Sequence, residues 1–262
     1  MNPKISIVLP TYNRGKVIQH AIRSCIDQTF QDFELIIVDD GSTDNTKRIV
    51  DSFANPKIIY KRIDHCGFVS KVRNVGNELA QGEIIVVQDS DDFSYCERAE
   101  EIVKAFEENP DADLVYHGMH MRFYDPFHDA MSYQLRPALP YSKEHILQEQ
   151  YIMGQVAYKK KTILELGGYD PRITCCDDYE MLLNFALNDK KFVPIYKSLY
   201  LYSDSPDSIN VSGEMDGRRR KDVEIILDIL KTKYNVHAIG GLIKNTIGDG
   251  SQVISREIIS KK

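Results

Sequence analysis

The sequence predicts an α/β fold in which a doubly wound, mostly parallel sheet is covered by helices. Strand and helix patterns alternate over residues 1 to 117. Several strand runs are continuously β-branched, as in strands covered on both faces. Polar and acidic residues collect directly after those runs, where open α/β sheets bind their ligands.

The strand candidates are Ile5–Leu9, Glu34–Val38, Lys57–Lys61, Glu83–Val87 and Asp113–Tyr116. Between the first two, Val17, Ile18, Ala21, Ile22, Cys25 and Ile26 recur at the spacing of one helix face. A second helix is expected after Asp40-Gly41-Ser42-Thr43, with Ser42 or Thr43 as N-cap and Ile49, Val50 and Phe53 inward. A third carries Val69, Val72, Gly76 and Leu79 along one side, and a fourth carries Ala99, Ile102, Val103 and Phe106. Met121 to Gln150 has no clear period and reads as an excursion from the sheet. Residues 178 to 188 form a helix with Met181, Leu182, Phe185 and Ala186 inward. After Gly217, the cluster Arg218-Arg219-Arg220-Lys221 leads into a helix with Val223, Ile226, Leu227 and Leu230 on one face. That helix is expected to pack on the domain; the alternative is peripheral contact with an anionic membrane through 218–233.

Composition narrows the class. The 262 residues are 42% hydrophobic and 27% charged, an ordinary globular balance. A net charge of −6 argues against nucleic acid as a partner. Five cysteines, with Cys175 and Cys176 adjacent, do not form a disulfide framework and read as reduced thiols. The chain enters a strand at once, and no apolar run approaches the ~18 residues of a membrane-spanning helix. The expectation is a soluble cytoplasmic protein, with the inner membrane face as its alternative location.

Chemistry concentrates at the strand ends. Asp89-Ser90-Asp91-Asp92 puts three carboxylates within four residues, a cluster hard to keep ionised without a counter-charge. Its expected partner is a divalent cation, Mg²⁺ or Mn²⁺, which leaves positions for phosphate oxygens; a solvated acidic turn is the competing reading. Neither G-x-G-x-x-G nor a Walker A sequence is present. Phosphates would therefore be held by metal and side chains, Arg73 and Lys71 among them, while Tyr12 stacks on a base and Asp39 accepts from its N–H.

Pro10-Thr11-Tyr12-Asn13-Arg14, Asp39-Asp40-Gly41-Ser42-Thr43-Asp44, Arg73-Asn74-Val75-Gly76 with Gly82-Glu83, Asp89-Ser90-Asp91-Asp92, and Gly167-Gly168-Tyr169-Asp170 followed by Asp177-Asp178-Tyr179-Glu180 resemble, in order and spacing, the motifs of family 2 glycosyltransferases of the GT-A fold. The resemblance covers residues 4 to 205. It implies a nucleotide-diphosphate-sugar donor, most often a UDP-sugar, a divalent metal, a glycan or lipid-linked acceptor, and transfer with inversion. Carried onto this chain, it places Pro10, Thr11, Tyr12, Arg14 and Ser90 around the nucleoside, with Asp39 on the uracil and Arg73 near the diphosphate. Asp89 and Asp91 become the D-x-D pair, with Asp91 the direct metal ligand and Asp89 nearer the ribose or sugar. The second acid of Asp177-Asp178 becomes the catalytic base, Asp178; read from the residues alone, this pair is equally an N-terminal helix partner. Gln155 and Asp177 are candidate acceptor contacts, and His117 and His120 read as interior residues.

Two departures stand out. Where many members carry an Arg and a His, this chain has Tyr202-Ser203-Asp204-Ser205-Pro206, which puts a third protein metal ligand in doubt. The absence of Trp removes the signature of processive synthases, so one sugar per binding event is expected. The expected layout is a nucleotide-sugar half at 1–117, an acceptor-side and base half at 118–215, and a C-terminal helix and tail at 216–262. A catalytically silent nucleotide-sugar or glycan binder, and a sugar-1-phosphate nucleotidyltransferase, are the alternatives.

Overall fold

The computed structural model describes residues 2–125, 130–203 and 215–234. In chain order its elements are β1 (Ile5–Thr11), α1 (Ile18–Ile26), β2 (Phe33–Asp39), α2 (Thr46–Ser52), β3 (Ile58–Arg62), α3 (Val69–Leu79), β4 (Ile84–Val87) and the short β5 (Phe93–Ser94). They continue with α4 (Arg98–Glu108), β6 (Leu114–Asp125), β7 (Ala130–Arg136), α5 (Lys143–Gln148), β8 (Ala157–Lys159), α6 (Lys160–Glu165), α7 (Asp177–Leu187), β9 (Phe192–Ser203) and α8 (Met215–Tyr234).

One sheet runs β3-β2-β1-β4-β8-β6-β9-β5, with β7 beside β6. The pairings β1–β2, β1–β4, β2–β3 and β6–β9 are parallel. The short β8 is antiparallel to both β4 and β6, so β1–β4, β6 and β9 all run one way. The mostly parallel sheet is therefore as expected, with β5, β7 and β8 as its reversed members.

The β-branched runs account for the double winding. Ile5, Ile7 and Leu9 of β1, Leu35 and Ile37 of β2, and Ile84 and Val86 of β4 pack with α1, α2 and α4. The alternate residues Val8, Ile36, Val38, Ile85 and Val87 point into a second core with α3, α6, α7 and α8. Alternation along each strand sends neighbours to opposite faces, and both faces are apolar because both are covered. The apolar side of α8 joins this second core through Ile226 and Leu230, as its pattern predicts.

Four expectations need correction. The second helix starts at Thr46, because Ser42 Oγ accepts the Asn13 N–H instead (2.8 Å) and Asp44 Oδ1 takes the Thr46 N–H (3.0 Å). On α3, Val72 and Gly76 are buried as expected, but Leu79 is exposed and Ser70, Arg73 and Asn77 are buried beside them; the inward side of this helix is partly polar. The expected strand Asp113–Tyr116 is only the start of the twelve-residue β6. Its partner β9 was unforeseen, with Pro194 inside it and register shifts around Gly118 that broke the period. The Met121–Gln150 excursion contains β7 and α5. The alternation Met131-Ser132-Tyr133-Gln134-Leu135 does mark β7, but its apolar side faces solvent, with Tyr133 66% exposed. Asp204, Ser205 and the tail from 236 lie outside the described residues.

Candidate functional site

The site lies at the carboxyl ends of β1, β2 and β4. Two loops there are fastened to one another by backbone donors. Asn13 Oδ1 accepts the Thr43 N–H (2.8 Å), and the Arg14 and Gly15 N–H groups donate to Thr46 Oγ1 and Asp44 Oδ2 (both 2.9 Å). Asn13 and Gly41 adopt positive φ, 51° and 76°, which this close approach of turns requires. At Gly41 a Cβ would meet the His65 backbone nitrogen at 2.9 Å.

Asp39 is fully buried, with Oδ1 accepting the Ser42 N–H (2.8 Å) and Oδ2 accepting the Tyr60 hydroxyl. Tyr12 is 41% exposed and stacks on His65, ring centroids 4.2 Å apart and planes at 16°. The 65–67 loop that presents His65 is held by Asp40, whose carboxylate accepts the Cys66 and Gly67 N–H groups (2.8 and 2.9 Å). Pro10 and Thr11 end β1 as buried residues, and the Thr11 hydroxyl is a buried oxygen without a partner. Ser90 is also buried. Arg14 Nη2 stands 3.5 Å from Asp91 Oδ2 at the partly exposed rim. Lys71 is on the exposed side of α3, its Nζ 4.1 Å over the Phe68 ring, outside this cluster.

The centre is a buried guanidinium. Arg73 donates from Nη1 to Asp177 Oδ2 (2.6 Å) and from Nη2 to Asp89 Oδ1 (2.8 Å), while its Nε has no partner. Asp89 Oδ2 accepts from Gln155 Nε2 (2.6 Å), so Gln155 and Asp177 both brace the carboxylate loop. Burial raises the Asp177 carboxyl to about 6 while Arg73 pulls it down. The two carboxylates in turn hold Arg73 charged, well above its ordinary range, and we therefore treat the pair as ionised. Next in sequence, Asp178 accepts from Gln150 Nε2 and from the Tyr179 N–H (both 2.8 Å). Asp177 and Asp178 both lie in the first turn of α7, where the helix N-terminus favours negative charge. Gly154 makes room for Asp178: a Cβ there would come within 2.6 Å of the Asp178 Cβ and Oδ2.

Asp92 is legible as part of the carboxylate cluster, but its partner and the role of Arg98 leave no signal in the sequence. Asp92 is buried, accepts the Ser203 N–H (2.8 Å), and is pushed well up by burial and by Asp89 and Asp91. Arg98 is buried against the start of the same loop. It donates to His117 Nε2 (2.9 Å), Gln88 Oε1 (3.3 Å), Ser94 Oγ (2.9 Å) and the Val87 and Gln155 carbonyls (2.9 and 3.2 Å). His117 is thus an interior residue, lowered to about 3 by burial and by Arg98. His120 accepts or donates at 3.0 Å to Tyr95 Oη. Gly154-Gln155 is the sequence feature that marks these contacts, Gln155 accepting from Arg98 through its carbonyl.

A profile of the family described as "Glycosyl transferase family 2" matches residues 6–167. An uncharacterized glycosyltransferase of Haemophilus influenzae is 29% identical over 194 residues, taking in 72% of this chain and 64% of the relative. Among solved structures, S. aureus TarS 1-349 in complex with UDP-GlcNAc superposes with a TM-score of 0.71 at 20% identity, covering 87% of this chain and 67% of TarS 1-349. The mannosyltransferase PcManGT from Pyrobaculum calidifontis, in complex with GDP-Man and Mn²⁺, gives 0.62 at 16% identity, covering 87% of this chain and 64% of that one. The chain spans about two thirds of the length of these proteins. With more than half of its length matched by the profile, the chain belongs to glycosyl transferase family 2.

Proposed function

We propose that this chain transfers a single sugar, with inversion, from a UDP-sugar to a hydroxyl of a glycan or lipid-linked acceptor. The observation that carries this reading is the bridge through Arg73. It draws the 89–92 carboxylates and the Asp177–Asp178 pair, distant in sequence, into one site.

In this reading Tyr12, Thr11, Pro10, Arg14 and Asp39 hold the nucleoside. The His65 ring already occupies one face of Tyr12, so a base either takes the other face or displaces it. Asp178 takes the proton from the acceptor hydroxyl as it attacks the anomeric carbon. Arg73 holds Asp177 and Asp89 in place around that event and contributes positive charge near the leaving diphosphate.

The donor chemistry supports a divalent cation. Both Asp89 oxygens accept from protein donors, and Asp91 lies at the partly exposed rim, 3.5 Å from Arg14. Asp91 would hold Mn²⁺ or Mg²⁺, with phosphate and water completing the shell. Bound there, the cation would neutralise charge developing on the leaving diphosphate. Of the membrane expectation, the charges have support: Arg218, Arg220 and Lys221 are exposed, while Val223, Ile226 and Leu230 are spent on the core. Among the described residues no helix is long and apolar enough to cross a membrane.

The test is thermal stability with UDP, GDP, CDP and dTDP, each with and without Mn²⁺. At about a hundred times its dissociation constant, the right nucleotide raises Tm by roughly 5 °C. A rise for UDP that needs Mn²⁺ supports the assignment; a rise for another nucleotide overturns the donor. Asp178→Asn is then expected to cut turnover by about 10²–10⁴-fold while leaving the UDP shift intact. An unchanged rate would remove Asp178 as the base.

A further inference from the structure

The structure fastens α7, the helix that begins with the acid pair, from behind. Asp222 of α8 is fully buried, and its carboxylate accepts the N–H groups of Thr174 (3.0 Å), Cys175 (2.7 Å) and Cys176 (3.1 Å). The Thr174 hydroxyl adds a further donor at 3.0 Å. These three residues lead directly into Asp177 and Asp178. At the other end of α7, Tyr234 Oη donates to Asn184 Oδ1 (2.6 Å) and accepts from Asn188 Nδ2 (3.1 Å). Between these two attachments, Ile226 and Leu230 lie in the core that α7 shares.

The Cys175 and Cys176 thiols lie 4.0 Å apart, and with Asp222 their ligand atoms fall within 4.8 Å of one another, close enough to hold a cation. The carboxylate, however, is already surrounded by four donors, three of them backbone N–H. Its partner is the peptide chain.

We propose that Asp222 is a positioning residue for the sugar transfer: by holding the 174–176 backbone it fixes where α7 begins, and so where Asp178 stands. A buried carboxylate gripping consecutive N–H groups is a strong and directional constraint. A displacement of the base by about 1 Å is enough to slow transfer about 10²-fold. The inference rests on Asp178 being the base.

The test compares Asp222→Asn with the wild-type full-length protein. UDP-GlcNAc is the probe donor, water the acceptor, and amide hydrogen exchange is measured at 174–179. The Tyr179 amide reports on Asp178 directly, because it donates to that carboxylate. The expected result is a 10- to 100-fold loss of kcat with UDP affinity unchanged within twofold. Protection of the Thr174–Cys176 and Tyr179 amides should fall in parallel. Thr174→Val, which removes one donor and leaves the helix intact, should act in the same direction by a few-fold; it decides the matter if Asp222→Asn does not fold. Tyr234→Phe should lower Tm alone. Unchanged kcat with lost protection, or unchanged Tyr179 exchange in either variant, overturns the proposal. In an Asp178→Asn background Asp222→Asn should add almost nothing. If Asp178→Asn itself leaves the rate untouched, the base assignment fails; the exchange data then still show whether Asp222 fixes the lead-in.

Discussion

Two buried arginines grip the 88–92 loop, one through Asp89 and the other through Gln88, and they are held in opposite ways. Arg73 lies between two carboxylates, Asp177 and Asp89. Arg98 lies among neutral acceptors, with its guanidinium carbon 4.7 Å over the Tyr200 ring. Burial pulls the Arg98 guanidinium down, whereas its two carboxylates hold Arg73 up. Gln155 ties the two together, its carbonyl accepting from Arg98 and its amide donating to Asp89. The difference separates scaffold from machinery. Neutral partners do not depend on the protonation of a carboxyl, and they suit a fixed support. A charged bridge across two functional loops is sensitive to pH and to whatever charge enters the site.

The largest expected effect is on the scaffold side. Arg98→Met strips donors from His117, Gln88 and two carbonyls, and should cost about 3–5 kcal/mol of stability in urea unfolding. That loss should change little between pH 7 and 8, where His117 is neutral in the folded and the unfolded chain alike. A loss under 1 kcal/mol would mean that the cradle re-pairs and the comparison fails.

Arg73→Met should cost about 3 kcal/mol at pH 7, with a pH dependence of its own. Asp177, raised to about 6, holds its proton more tightly folded than unfolded. Its contribution is complete below about pH 4 and is lost as pH rises through 6. Removing Arg73 deepens that loss, so the gap from wild type should widen from pH 5 to 7 and close on acidification. Parallel pH profiles for the two arginine variants would erase the distinction.

Gly154→Ala probes the link between them. The added methyl meets Asp178, and kcat should fall by about 10- to 100-fold while UDP binding hardly moves and Tm drops by about 2–6 °C. An active Gly154→Ala enzyme would show that Asp178 has slack.

The smallest effect concerns His117. Lowered to about 3, it stays neutral when folded but takes a proton below about pH 6.5 when unfolded. Its contribution is complete above 6.5 and is lost as pH falls toward 3. His117→Asn should flatten the acid side of the stability profile by about 1–2 kcal/mol between pH 6.5 and 5. A profile unchanged from wild type would put the acid sensitivity elsewhere.

The sequence by itself determined the parallel strands β1 to β4, the double winding and the order of the carboxylate motifs. Runs such as Glu34–Val38 and Glu83–Val87 need only their own residues to declare a strand covered on both faces, and a motif such as Asp89-Ser90-Asp91 is local. Periodicity failed where register shifts broke it, in β6 and β9, and where an alternating strand turned its apolar side outward, in β7. The tertiary structure alone decided who holds the charges. Arg73 and Asp177 are 104 residues apart, and Asp222 meets a loop 46 to 48 residues away. Secondary structure follows from neighbours along the chain. The state of a buried charge follows from desolvation and from donors and fields supplied by distant segments, which exist only once the chain has folded.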